Sequence, residues 1–119
     1  MNRKALGELG ERWARGYLER HGYRIRETNF HCREGEIDIV AQHEDSLVFV
    51  EVRTKTGSAF GTPEESVTTA KQEKLASVAM SYLQTHDGLP SERRIDVVAI
   101  EVSPRGRVTR TELIQNAVS

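Results

Sequence analysis

The stretch "EIDIVAQHEDSLVFVEVRTK", residues 36–55, constrains the fold more than any other part of the chain. Two apolar runs flank the polar turn "HEDS", a pattern that reads as two strands over 36–42 and 46–54. Three carboxylates, Glu36, Asp38 and Glu51, interrupt those runs. A carboxylate withdrawn from water is normally paired, protonated or bound to a metal. The rest of the chain must therefore supply a reason for these acids.

Side chains alternate along a strand, so Leu47, Phe49, Glu51, Arg53 and Lys55 share one face. Glu36, Asp38 and Val40 are expected to share a face in the partner strand. If the hairpin closes symmetrically about "HEDS", residues 43 and 46 pair and Asp38 stands opposite Glu51. Like charges directly opposite are destabilising. A divalent cation between them reverses the sign of that interaction, and oxygen ligands from one or two carboxylates with waters suit Mg²⁺. Arg53 and Lys55 on the same face can hold a phosphate or stabilise charge on phosphorus. Two acids, a metal and a cation form the minimum set for metal-assisted phosphodiester hydrolysis.

The remaining elements follow from periodicity and stop signals. Residues 3–21 read as a helix that Gly22 ends, with an apolar face centred near Leu6, Trp13 and Tyr17. Trp13 and Tyr17 are expected in the core. Glu8 falls opposite that face, whereas Glu11 falls on its flank and can reach the edge of a sheet site. "YRIRETNF" (23–30) reads as a strand, and "TKTGSAFG" as a loop. "TPEE" is a helix start with Thr62 as N-cap, and a second start at Thr69 is also possible. Leu75, Val78, Ala79, Tyr82 and Leu83 then line an amphipathic helix. Residues 94–102 and 107–114 complete the set as strands, giving an αβββαββ order and a mixed sheet flanked by helices in one domain over 1–119. The segment "IDVVA" (95–99) repeats "IDIVA" (37–41), but the "IEVSP" that follows offers Glu101 and no cation, so Asp96 is expected to be a structural, hydrogen-bonding acid.

Charge bears on partners only through its distribution. Net charge is −1, which by itself gives no support for nucleic-acid binding. Residues 1–33 carry eight Lys/Arg, whereas 34–51 carry six acids and no Lys or Arg. An acidic island beside basic flanks suits a metal site next to a phosphate-binding surface. Lys71, Arg33 and the loop aromatic Phe60 are the candidate nucleic-acid contacts. The histidines and Cys32 have no zinc spacing. The single cysteine and the charged N-terminal segment, which lacks an apolar core, lead us to expect a cytoplasmic protein with no membrane partner.

"GEIDIVA…VFVEVRTK" resembles the divided acid motif of the PD-(D/E)xK nuclease superfamily. Nearly the whole chain, through "GELGERWARGYLERHGYRIRETNFHCREGEIDIVA", "VEVRTKTGSAFGTPEESVTTAKQEKL" and "RIDVVAIEV", is similar to the bacterial YraN-type family, whose members are read as endonucleases. The resemblance implies a restriction-endonuclease-like α/β core related to Holliday-junction resolvases. It implies Asp38 and Glu51 as metal ligands for Mg²⁺ or Mn²⁺, with Glu11 as the matching helix glutamate. It also implies DNA as substrate, with branched DNA favoured, and a homodimer if both strands of a junction are cut. The sequence departs from the superfamily pattern at Arg53, where the motif has lysine. Arginine stays protonated and cannot act as a base, although it binds phosphate well. Arg53 is therefore expected to be an electrostatic stabiliser, with Lys55 a substitute cation. That departure also keeps open a catalytically inactive binding module on the nuclease fold.

Overall fold

The computed structural model describes residues 1–57 and 61–118, so the expected role of Phe60 lies outside the described residues. Helix α1 (Arg3–Arg20) begins at Asn2, whose side chain accepts the Ala5 N–H at 2.8 Å, and ends at Gly22, whose φ of 85° suits only glycine well. Strands β1 (Tyr23–Cys32), β2 (Gly35–His43) and β3 (Ser46–Thr56) follow as an antiparallel meander. Helix α2 (Thr69–Thr85) then carries the chain across to β4 (Glu92–Val102), which pairs parallel to β3. A parallel pair needs such a crossover. Strand β5 (Val108–Ile114) closes the sheet, whose order is β1-β2-β3-β4-β5. The αβββαββ order is the expected one, and the mixed five-stranded sheet with two helices is compatible with a restriction-endonuclease-like fold.

The helices cover opposite faces. Ala14 and Leu18 of α1 pack on Ile39, Ala41, Val48, Val50, Val98 and Ile100. Leu75, Val78, Ala79 and Tyr82 of α2 pack on Ile37, Val40, Leu47, Phe49 and Ile95. Strands β2, β3 and β4, buried on both sides, read as nearly continuous apolar runs for that reason.

Three expectations need correction. The buried stripe of α1 is Gly10, Ala14 and Leu18, so Trp13 is 41% exposed and Tyr17 only partly buried. Trp13 instead donates its indole N–H to Thr111 Oγ1 on β5 at 2.9 Å. The small residues at 10 and 14 let α1 approach the sheet closely, which a search for bulky apolar positions overlooks. The second correction concerns α2, which starts after Thr68, near the alternative start. Thr68 caps it by accepting the Lys71 N–H at 3.2 Å, while Thr62 heads only the 3₁₀ turn Glu64–Ser66. The third lies in β2, where Ile37 and Val40 both belong to the α2-side core, so strict alternation breaks between them, at Asp38.

Asp96 is wholly buried and fully engaged. It accepts from Tyr23 Oη at 2.8 Å, from Arg94 Nε at 3.0 Å and from the Asn116 N–H at 2.9 Å. Arg94 also reaches Tyr23 Oη and His43 Nδ1, and the Tyr23 and His43 rings stack at 4.2 Å. The network ties β1, β2, β4 and the C-terminal segment together. It is the structural role expected of this acid.

Candidate active site

The β2–β3 register is the symmetric one about "HEDS": His43 pairs with Ser46, and the ladder runs to Ile39 opposite Val50. One step further the two strands part. β2 continues alongside β1 and β3 alongside β4. Asp38 and Glu51 stand at this fork, where the next pair in register would fall. Asn29, opposite Asp38 in the β1–β2 ladder, has φ 55°, a left-handed conformation that Asn tolerates better than most residues. This kink accompanies the break in alternation in β2.

The fork leaves β3 without a β2 backbone partner beyond Val50, and the Asp38 side chain fills that vacancy by accepting the Val52 N–H at 2.8 Å. Glu51 is buried, and its Oε2 is met by Arg53 Nη1 at 3.2 Å and Lys71 Nζ at 3.3 Å. Burial, reinforced by the charge of Glu51 and a carboxyl–carboxyl hydrogen bond with it, raises the Asp38 pKa to about 8, while the Val52 N–H pulls the other way. Asp38 thus keeps its proton to near neutral pH, beside the Glu51 carboxylate. Glu51 has two cations against it, whereas half-buried Asp38 has a single backbone donor.

A cleft of about 590 Å³ opens onto Asp38, between the first turns of α1, the free part of β3 and the turn at Pro63 and Ser66. Arg3, Lys4, Arg53 and Lys55 line it together with Glu8, Glu11 and Glu36. Glu8, which was expected to point away, therefore reaches the cleft. Contact between α1 and β3 brings this about, since a Cβ on Gly10 would lie 1.9 Å from Thr54 Oγ1. No larger residue permits that approach. Glu11 faces the cleft, but its Oε1 accepts from Asn29 Nδ2 at 2.9 Å. Glu36 is exposed and 3.4 Å from His31.

The cations differ in how firmly they are held. Arg53 donates from Nε to Ser66 Oγ at 2.8 Å, and Ser66 Oγ in turn donates to the Pro63 carbonyl at 2.5 Å. Lys55 Nζ reaches the Gly61 carbonyl at 3.3 Å. The turn carrying Ser66 is fixed from the far side by Arg110 of β5, which binds Glu64 at 2.6 Å and also contacts Glu112. This pairing draws the Glu64 carboxyl down to about 2. Sequence reasoning did not foresee Arg110, because nothing local relates positions 64 and 110 before β5 is placed. Arg33 sits exposed in the β1–β2 turn and does not line the cleft.

Among the described residues, no group of three or more His, Cys, Asp and Glu side chains is arranged to hold a metal ion. The structure brings Asp38 and Glu51 together and leaves Glu11 engaged by Asn29. Two adjacent carboxyl groups, Asp38 and Glu51, still form a donor set suited to a hard cation completed by water. Among the described residues, no helix is long and apolar enough to cross a membrane.

Comparison with known proteins places the chain in a family. The profile of the "Uncharacterised protein family UPF0102" matches residues 10–100, which include every acid and cation at the fork. A UPF0102 protein of Symbiobacterium thermophilum is 49% identical over 114 residues, covering 96% of each chain. One from Dehalococcoides mccartyi is 48% identical over 118 residues, 98% of this chain and 95% of its own. Another, from Roseiflexus castenholzii, is 47% identical over 118 residues, 98% of this chain and 94% of its own. The β-fork with its carboxyl pair thus belongs to a chain of this sequence pattern from end to end, and the protein is a member of the UPF0102 family.

Proposed function

We propose that this protein is a Mg²⁺- or Mn²⁺-dependent endonuclease of the PD-(D/E)xK type that hydrolyses DNA phosphodiesters, with branched DNA as the favoured substrate. The observation that carries the reading is the Asp38–Glu51 pair at the sheet fork, with Asp38, its pKa raised to about 8, facing a cleft that Arg3, Lys4, Arg53 and Lys55 line together with three glutamates. An acid perturbed by burial and a specific charge partner, set in a cleft, is a functional-site candidate. Asp38 and Glu51 are the residues that would hold the ion, which when bound supplies a Lewis acid and a more acidic water. Arg53, fixed by Ser66, offers a permanent charge to the phosphate oxygens and takes no proton. Lys55, at the end of the same strand, extends that charge along the cleft. So small a domain is suited to reading backbone shape rather than bases. Cutting both strands of a junction takes two such sites, which a two-fold homodimer supplies. We place this activity in the cytoplasm.

The test is to incubate purified protein with a four-way junction and with linear duplex under Mn²⁺, beside Asp38→Asn. Cleavage that falls about 10³-fold or more in the variant is the expected result, on the scale of several kcal/mol for a metal site. Equal cleavage by both proteins removes Asp38 from the chemistry. The contacts of Arg53 and Lys71 with Glu51 favour a second reading, a non-catalytic DNA-binding module, since they neutralise this carboxylate without an ion. Junction binding without cleavage, unchanged by Asp38→Asn, is its signature.

A further inference from the structure

Glu51 Oε2 carries two cations that are anchored in different ways. Arg53 has a second anchor that does not depend on Glu51, the Ser66 hydroxyl that accepts from its Nε. Lys71 comes from the first turn of α2, its side chain is about one-third exposed (32%), and among the described residues Glu51 is its only side-chain partner. A primary ammonium on a four-carbon stem has the reach to exchange partners, and a guanidinium bound at both ends does not. An ammonium and a divalent ion also compete for the same carboxylate, since each neutralises it.

We propose that Lys71 is a placeholder cation. It neutralises Glu51 while no divalent ion is present and turns to a phosphate oxygen of the nucleic acid once an ion takes its place. This rests on the nuclease-site reading above and deepens it. Lys71 then becomes the DNA contact whose availability depends on the ion. The chain helps to isolate the effect, because it has four lysines, Lys4, Lys55, Lys71 and Lys74, and Lys74 lies exposed one turn further along α2 as a matched control.

The experiment measures junction binding against salt concentration for wild type, Lys71→Met and Lys74→Met, once in EDTA and once in Ca²⁺, with Mn²⁺ affinity followed by electron paramagnetic resonance. Each phosphate contact adds about 0.9 to the slope of log K against log salt. In Ca²⁺, Lys71→Met should lower the slope by about that amount, and in EDTA it should leave the slope unchanged. Mn²⁺ should bind Lys71→Met about threefold to tenfold more tightly than wild type, the scale of one part-exposed ion pair. Lys74→Met should match wild type in its Mn²⁺ affinity. A Lys71→Met slope that changes equally in both conditions, or not at all, overturns the placeholder role. If that happens while Mn²⁺-dependent cleavage persists, the nuclease reading survives alone. A conditional slope without any cleavage leaves the placeholder standing and removes the hydrolase. No DNA binding and no Mn²⁺ binding overturns both.

Discussion

The chain contains "ID[IV]VA" twice, in β2 and in β4, and folds the two aspartates into opposite situations. Asp96 is completely buried yet surrounded by donors: a phenol, a guanidinium and a backbone N–H. Asp38 is less buried, has one backbone donor, and faces another carboxyl, which helps to lift its pKa to about 8. Burial alone therefore does not mark an acid as functional. The mark is burial that the protein's own donors leave uncompensated, because such a site has something to gain from an ion or a proton.

The contrast can be broken most forcefully at Asp96. Asp96→Ala strips the anion from Arg94 and Tyr23 in the interior and should lower unfolding free energy by about 3–5 kcal/mol, measured by urea denaturation. A loss below about 1 kcal/mol would falsify the view that this network pins the C-terminal segment to β1. The same chemistry at Asp38 should run the other way. Its folded pKa of about 8 lies above the ordinary 3.8, so the stability linked to its proton is present below about pH 4 and is lost as pH rises toward 8. The metal-free protein should thus melt lower at pH 8 than at pH 5. Asp38→Asn should flatten that dependence and gain about 1 kcal/mol or more at pH 8, since an amide keeps the size and removes the repulsion. A thermal scan that shows Asp38→Asn losing stability at pH 8 rules out the strained pair. The smallest effect sharpens the comparison from within the satisfied network. Tyr23→Phe removes one donor to Asp96 and leaves Arg94 and Asn116, so denaturation should show a loss of only about 1 kcal/mol. A loss as large as that of Asp96→Ala would mean that the phenol, not the anion, is the centre of the network.

Most of the sheet was legible because its signals are local. Apolar runs bounded by turns set the strands, and a symmetric turn at "HEDS" set the register that ends at Asp38 and Glu51. The distinction between Asp38 and Asp96 was also readable, from the "EVRTK" with its two cations that follows one acid and not the other. Three features escaped, each for a physical reason. The fork is accompanied by a left-handed residue, Asn29, in a segment that reads as a regular strand. The sheet-facing stripe of α1 begins with glycine and alanine, at Gly10 and Ala14, so the bulky Trp13 misleads about which side is buried and where Glu8 lies. The Lys71–Glu51 pair depends on where α2 begins, and two capping signals competed for that start. Lys71 was singled out for phosphate, but its carboxylate partner is a matter of tertiary placement.

One peptide group follows from the fork and gives the site a voice of its own. The Val52 N–H points to a side chain where a neighbouring strand would normally receive it. Its amide resonance is therefore tied to a single carboxylate oxygen. A proton leaving Asp38, an ion arriving there, or a substrate displacing either changes the field at that one nitrogen, so the backbone of β3 carries a native spectroscopic probe at the centre of the cleft, with no label to attach.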